Sequence, residues 1–149
     1  MADEFQPTLA IDFDGTIAQQ DGWEYPEMGP PFHGVAEAIQ KLKDQGFKIL
    51  IYTCRLNQHN ENNGTAEEEL ERLTQYLDQV GVPFDDFVVA EVGKPFAEYY
   101  IDDKGIRFNG DWNETVKFVE SLQLHKTKEA SERVFRLVTI SEKVASRYL

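Results

Sequence analysis

The sequence predicts an α/β fold with a mostly parallel sheet and helices on both faces. Three observations predict it. Along the chain, segments read strand, helix, strand, helix, strand, strand, helix. The second strand candidate, FKILIYTC at residues 47–54, is a continuous apolar and aromatic run of the kind buried on both faces. Unusual polar residues gather where strand candidates end, which is where open α/β sheets bind their ligands.

The elements follow in order. TLAIDFD at residues 8–14 reads as a buried strand, and DGWEYPEMGPPFHG at 21–34 as a loop rich in Gly, Pro and aromatics. Val35, Ile39 and Leu42 recur at helical spacing, with Gly46 at the C-terminal cap. After FKILIYTC comes a polar loop, RLNQHNENNGT. Leu70, Leu73, Leu77 and Val80 then mark a second amphipathic helix, closed by Gly81. DDFVVA and AEYYIDD read as short strands, and GIRFNGDW as a turn-bearing extended segment. Helices are predicted over 113–123 and 128–148, the last with Val134, Leu137, Val138, Ser141, Val144 and Tyr148 on one side. No repeat or shift in composition divides the chain. Residues 1–149 therefore read as one domain, with 113–149 as a C-terminal helical elaboration. The apolar stripe of the last helix needs a cover. The sheet would supply one, and a second copy of the chain would make a homo-oligomer.

Bulk properties narrow the function classes. At 149 residues, 41% hydrophobic and 28% charged, the chain suits one globular domain with a real core. No apolar run reaches the roughly 20 residues needed to span a bilayer, so no membrane partner is expected. The N-terminal MADEFQPT lacks the basic and apolar regions of a signal peptide, which points to the cytoplasm. Cys54 is the sole cysteine, so an intrachain disulfide or a cysteine-based zinc site is excluded. Continued strand alternation would turn Cys54 away from Thr53 and make it an inert core thiol. The formal net charge of −12 weighs against a nucleic-acid partner but leaves a small phosphorylated substrate open.

The strand ends carry the chemistry. Asp12 and Asp14 close the first, Thr53 and Arg55 the second, Lys94 follows the third in EVGKPF, and Asp102 and Asp103 close the fourth. Two ionised carboxylates in a dry site need a cation. Mg²⁺ suits hard oxygen ligands, and a further ligand would come from the Asp102–Asp103 pair. His33, His59 and His125 are scattered, which argues against zinc. One aspartate of such a set can attack phosphorus, and a second carboxyl can protonate the leaving oxygen and then activate water. Lys94 and the metal can offset phosphoryl charge, and the Thr53 hydroxyl can donate to it.

DFDGTI, YTCR, GKP and YYIDD, arriving in that order over residues 8–112, resemble the phosphatase branch of the haloacid dehalogenase superfamily. The resemblance implies a Rossmann-like three-layer fold. It makes Asp12 the nucleophile and a metal ligand, and Asp14 the general acid/base that binds metal through its carbonyl. Thr53 and Lys94 would hold the phosphoryl group, Asp103 would bind metal, and Asp102 would support it. An aspartate two residues after the nucleophile argues against dehalogenation. Neither the gap from Thr16 to Val35 nor that from Arg55 to Lys94 has room for a cap domain. The chain thus looks similar to small capless phosphatases, whose open sites take macromolecules or are covered by a neighbouring subunit. Trp23, Tyr25, Phe32 and His33 would either pin loop 21–34 to the core or wall the site, and NQHNENNGT would form a rim. Arg55 would either reach a second anionic group on the substrate or pair with a local acid such as Glu91. The expected function is a Mg²⁺-dependent phosphomonoester hydrolase with an aspartyl-phosphate intermediate, acting on a small phosphorylated metabolite. A polynucleotide 3′-phosphatase or a phosphoprotein phosphatase is the alternative. The non-enzyme alternatives are a binding protein or a phosphoryl-accepting receiver, although a receiver carries its acid pair before the phosphorylated aspartate, the reverse of the order here.

Overall fold

The computed structural model describes residues 4–57 and 65–122. The chain divides into two compact units, Met1–Gly105 and Ile106–Leu149. The first unit runs β1 (Thr8–Ile11), α1 (Val35–Asp44), β2 (Lys48–Ile51), α2 (Ala66–Val80), β3 (Asp86–Phe87) and β4 (Tyr99–Ile101). Single 3-10 turns lie at Cys54–Leu56 and Ala90–Val92. The second unit contributes α3 (Trp112–Ser121). The helix expected at 128–148 and most of the NQHNENNGT rim lie outside the described residues.

The strands form one sheet in the order β3-β2-β1-β4, and every pairing is parallel. The α/β reading of the sequence therefore holds. Leu9 and Ile11 lie level with Ile49 and Ile51. Side chains two apart on a strand share a face, so these four make one apolar surface. It is packed in a single core with Phe13, with Ile39 of α1, and with Leu73 and Leu77 of α2. Each such side chain contributes about 1.5–3 kcal/mol by leaving water. Successive steps from β1 to β2 to β3 run in one direction across the sheet, and parallel crossovers are right-handed. Both crossover helices thus fall on one face, so among the described residues of the first unit the helices do not cover both faces as the sequence predicts.

Local chemistry sets the boundaries. The strand candidate at 8–14 stops at Ile11. Asp12 N–H still donates to the Ile101 carbonyl at 2.9 Å, but the Phe13 carbonyl then collects the N–H groups of Thr16, Ile17 and Ala18. That tight turn takes the chain out of the sheet. Helix α2 begins at a capping box. Glu68 N–H donates to the Thr65 hydroxyl at 3.1 Å, and Thr65 N–H donates to the Glu68 carboxylate at 3.2 Å. It ends on Gly81 with a left-handed φ of 79°. In the second unit the Asp111 carboxylate caps α3 by accepting from Asn113 and Glu114 N–H. No helix among the described residues is long and apolar enough to cross a membrane.

The topology locates the crevice. From β1 the chain proceeds to β2 and β3 on one side, and β4 lies on the other. Chain order therefore reverses between β1 and β4, and ligands of open α/β sheets bind beyond the carboxyl ends at such a point.

Candidate active site

Asp12 follows β1 directly, and Asp102 and Asp103 follow β4. Ile11 pairs with Ile101, so the parallel register brings the two strand exits level. The result is one acidic cluster. Carboxylate oxygens of Asp12, Asp102 and Asp103 all lie within 4.8 Å of one another. Gly15 makes this approach feasible. Its φ is +80°, and a Cβ there would sit 2.3 Å from Asp103 Oδ2 and 2.7 Å from its Cγ. Asp103 thus lies against bare backbone, and the Lys104 N–H donates to Asp102 Oδ1 at 2.7 Å.

Crowding of like charge has an electrostatic consequence. The Asp12 carboxyl is pushed up to about 7, first by burial and then by the charges of Asp102 and Asp103 and a hydrogen bond with Asp103, against a lowering bond from the Phe13 N–H. A cation would relieve this strain. The donors are all hard oxygens, with neither His nor Cys in the cluster. That set could hold a metal ion, and it favours a hard divalent cation over zinc. Asp102 and Asp103 each bring a carboxylate oxygen to the group, where the sequence gives Asp102 a supporting role. The Asp14 carboxylate is not part of the group.

Asp14 is instead held by Arg55. Arg55 Nε donates to Asp14 Oδ2 at 2.6 Å and Nη2 to Oδ1 at 2.8 Å, a two-pronged pair. The same guanidinium donates to the Glu69 carboxylate at 3.0 Å, the Pro26 carbonyl at 3.2 Å and the Glu27 carbonyl at 2.8 Å. These contacts draw on all three nitrogens of the guanidinium. The guanidinium carbon also lies 5.1 Å from the centre of the Tyr25 ring and 5.5 Å from that of Phe13. Of the two roles that the sequence left to Arg55, the local ion pair is the one present. Its partners are Asp14 and Glu69 rather than Glu91.

Glu69 is the residue that sequence reasoning missed. It is fully buried on α2, where it accepts from Arg55, from Arg72 and from the Tyr25 hydroxyl. The signal was present. Glu69 stands four residues before Leu73 and eight before Leu77, so an acid sits on the apolar stripe of the helix.

Of the remaining expected residues, Thr53 follows β2 by two positions and Lys94 follows β3 by seven. Thr53 is buried two residues past β2, and its hydroxyl accepts from the Arg55 N–H at 3.2 Å. The hydroxyl proton stays available for a donor role. Lys94 is exposed, and its ammonium lies 4.6 Å from the centre of the Tyr100 ring on β4. Of the loop aromatics, Tyr25 is tied to Glu69 and Arg55, while Trp23, Tyr25 and Phe32 each remain more than 40% exposed. The loop is therefore pinned through Tyr25 and still presents aromatic surface. Cys54 requires a correction. It is exposed, because β2 ends at Ile51 and the 3-10 turn replaces strand alternation. Partial desolvation and the nearby charges of Asp12 and Asp14 push its thiol up.

No family model matches the chain. Over 95 residues it is 30% identical to the polynucleotide 3′-phosphatase ZDP of Arabidopsis thaliana. The match takes in 56% of this chain but spans only 13% of that protein. Among solved structures, a conserved protein from Bacteroides thetaiotaomicron aligns with a TM-score of 0.49 at 20% identity, covering 80% of this chain and 93% of that one. A protein from Vibrio cholerae aligns with a TM-score of 0.41 at 26% identity, covering 79% and 100%.

Proposed function

We propose that the protein is a phosphomonoester hydrolase of the haloacid dehalogenase type, Mg²⁺-dependent, forming an aspartyl-phosphate on Asp12. The observation that carries this reading is the convergence of Asp12, Asp102 and Asp103 from two strand ends onto one point at the sheet's reversal. Similarity to a 3′-phosphatase over 95 residues supports the same class. The carboxylates of Asp12, Asp103 and Asp102 and the Asp14 backbone carbonyl would hold the Mg²⁺, which when bound offsets charge on the carboxylates and on phosphoryl oxygens.

The residues divide the work. An Asp12 carboxylate oxygen attacks phosphorus, and the bond from phosphorus to the alcohol oxygen breaks as the new one forms. Asp14, protonated for this step where the resting structure pairs it with Arg55, gives its proton to the departing oxygen. Asp14, now a carboxylate, takes a proton from water as the water oxygen attacks the phosphorus. The bond to Asp12 breaks, inorganic phosphate leaves, and both aspartates are restored. Thr53 and Lys94 hold the phosphoryl oxygens by a hydroxyl and an ammonium.

A small phosphorylated metabolite is the favoured substrate, because a net charge of −12 opposes a polyanion. A 3′-phosphorylated polynucleotide is the second reading, favoured by the Arabidopsis relative. The test is a panel of phosphorylated metabolites, nucleotides and a 3′-phosphorylated oligonucleotide, assayed with Mg²⁺ and with EDTA. The expected result is phosphate release that EDTA abolishes, Mg²⁺ restores and Asp12→Asn eliminates. Turnover that is indifferent to both interventions contradicts the proposal.

A further inference from the structure

The buried chain of charges beside Asp14 has the form of a positioning device. Asp14, Arg55, Glu69 and Arg72 follow one another as alternating ions. Arg55 is 4% exposed and Glu69 fully buried. Taking such charges out of water costs several kcal/mol per ion, and an apolar pair of equal volume often serves stability as well. Stability alone therefore gives no reason for an acid on the core stripe of α2. Geometry supplies one. The guanidinium fork engages both oxygens of Asp14, which fixes the plane of that carboxylate as well as its location. Glu69 engages the opposite side of the fork, and the Pro26 and Glu27 carbonyls complete it. Tyr25, from the same loop, lies over both Arg55 and Arg72, at 5.1 and 6.0 Å, and donates to Glu69.

We infer that Arg55 and Glu69 are positioning residues for proton transfer by Asp14: α2, through Glu69, orients the Arg55 fork, and the fork sets the orientation of the Asp14 carboxyl. This rests on the reading of Asp14 as the proton donor. The residues act on the orientation of Asp14 and do not touch the phosphoryl group. The same fork ties the Pro26 and Glu27 carbonyls to Asp14.

A positioning role and a purely structural one differ in their dependence on the leaving group. p-Nitrophenolate departs readily without a proton, whereas phenolate, almost the same shape, needs one more. The test compares kcat/KM for p-nitrophenyl phosphate and phenyl phosphate, since kcat/KM reports only through departure of the alcohol. Arg55→Lys keeps the charge and loses the fork. Glu69→Gln keeps the shape and loses the charge that orients it. Both are expected to lower the phenyl/p-nitrophenyl ratio, Arg55→Lys by roughly tenfold or more, a share of the 10²–10⁴ that general acid catalysis supplies. The ratio does not depend on the fraction of molecules that fold. Should Arg55→Lys give no folded protein, Glu69→Gln carries the same comparison. Equal losses on the two substrates overturn the positioning role alone. Wild-type protein that hydrolyses neither substrate overturns the phosphatase reading beneath it.

Discussion

Gly15 decides how closely the two acidic strand exits can approach. Its positive φ suits glycine, and the space where a Cβ would stand is already filled by the Asp103 carboxylate. Gly15→Ala therefore has to displace Asp103 from the cluster while leaving the core side chains untouched. The expected result is Mg²⁺ affinity at least about tenfold weaker by titration calorimetry, in line with losses on disturbing the support of metal ligands, with a far-UV spectrum unchanged. Unaltered Mg²⁺ binding would remove Gly15 from the account. The residues of the cluster were legible in the sequence because each stands at the end of an apolar run: Asp12 after LAI, Asp102 and Asp103 after YYI. Their side-chain directions were not legible. Whether Asp102 or Asp103 turns toward Asp12 depends on backbone torsions past the strand, where period-two alternation no longer applies. The role of Arg55 was hidden for a related reason. Its partner Glu69 is 14 residues away on a helix, and only packing brings the two together.

At the scale of elements, the helices were the most readable part. The 3.6-residue apolar spacing located α1 and α2, and Gly81 marked the end of α2 by the left-handed conformation it adopts. Strand positions were also readable, but their lengths were not. DDFVVA yields only the two-residue β3, because Val88 N–H is the last to reach the Ile51 carbonyl before the chain turns into Ala90–Val92. FKILIYTC likewise gives four strand residues, and Thr53 departs from the sheet to cap the following 3-10 turn. That departure is functionally useful. It leaves the Thr53 hydroxyl and the Arg55 fork at the sheet's carboxyl edge instead of alternating them across its faces. It also explains the exposed Cys54.

For the molecule as a whole, the acidic cluster couples folding to pH and to cation. The folded-state value of Asp12, about 7, lies above its ordinary 3.8. Between those limits the folded protein keeps a proton that the unfolded chain has released. Stability contributed by this group is therefore complete below about pH 4 and is lost as pH rises toward 7. Metal-free wild-type protein is expected to lose melting temperature across that interval relative to Asp12→Asn, which carries no titrating group at position 12. Mg²⁺ should restore the wild type at pH 7 and do less for the variant, since ligand binding to the native state alone is stabilising. Parallel melting curves for the two proteins in EDTA would contradict the cluster's electrostatics. The net charge of −12 acts over the same surface. Such a charge opposes the approach of extended polyanions.

In the proposed reaction phosphate passes through a covalent bond to Asp12, and that bond can be trapped. Enzyme turning over p-nitrophenyl phosphate with Mg²⁺ is quenched in acid, treated with borohydride, which reduces an acyl phosphate to an alcohol, and digested for mass spectrometry. The account predicts homoserine at position 12, dependent on substrate and absent in EDTA. Reduction at Asp14, Asp102 or Asp103, or none in protein that was turning over at the quench, would contradict it.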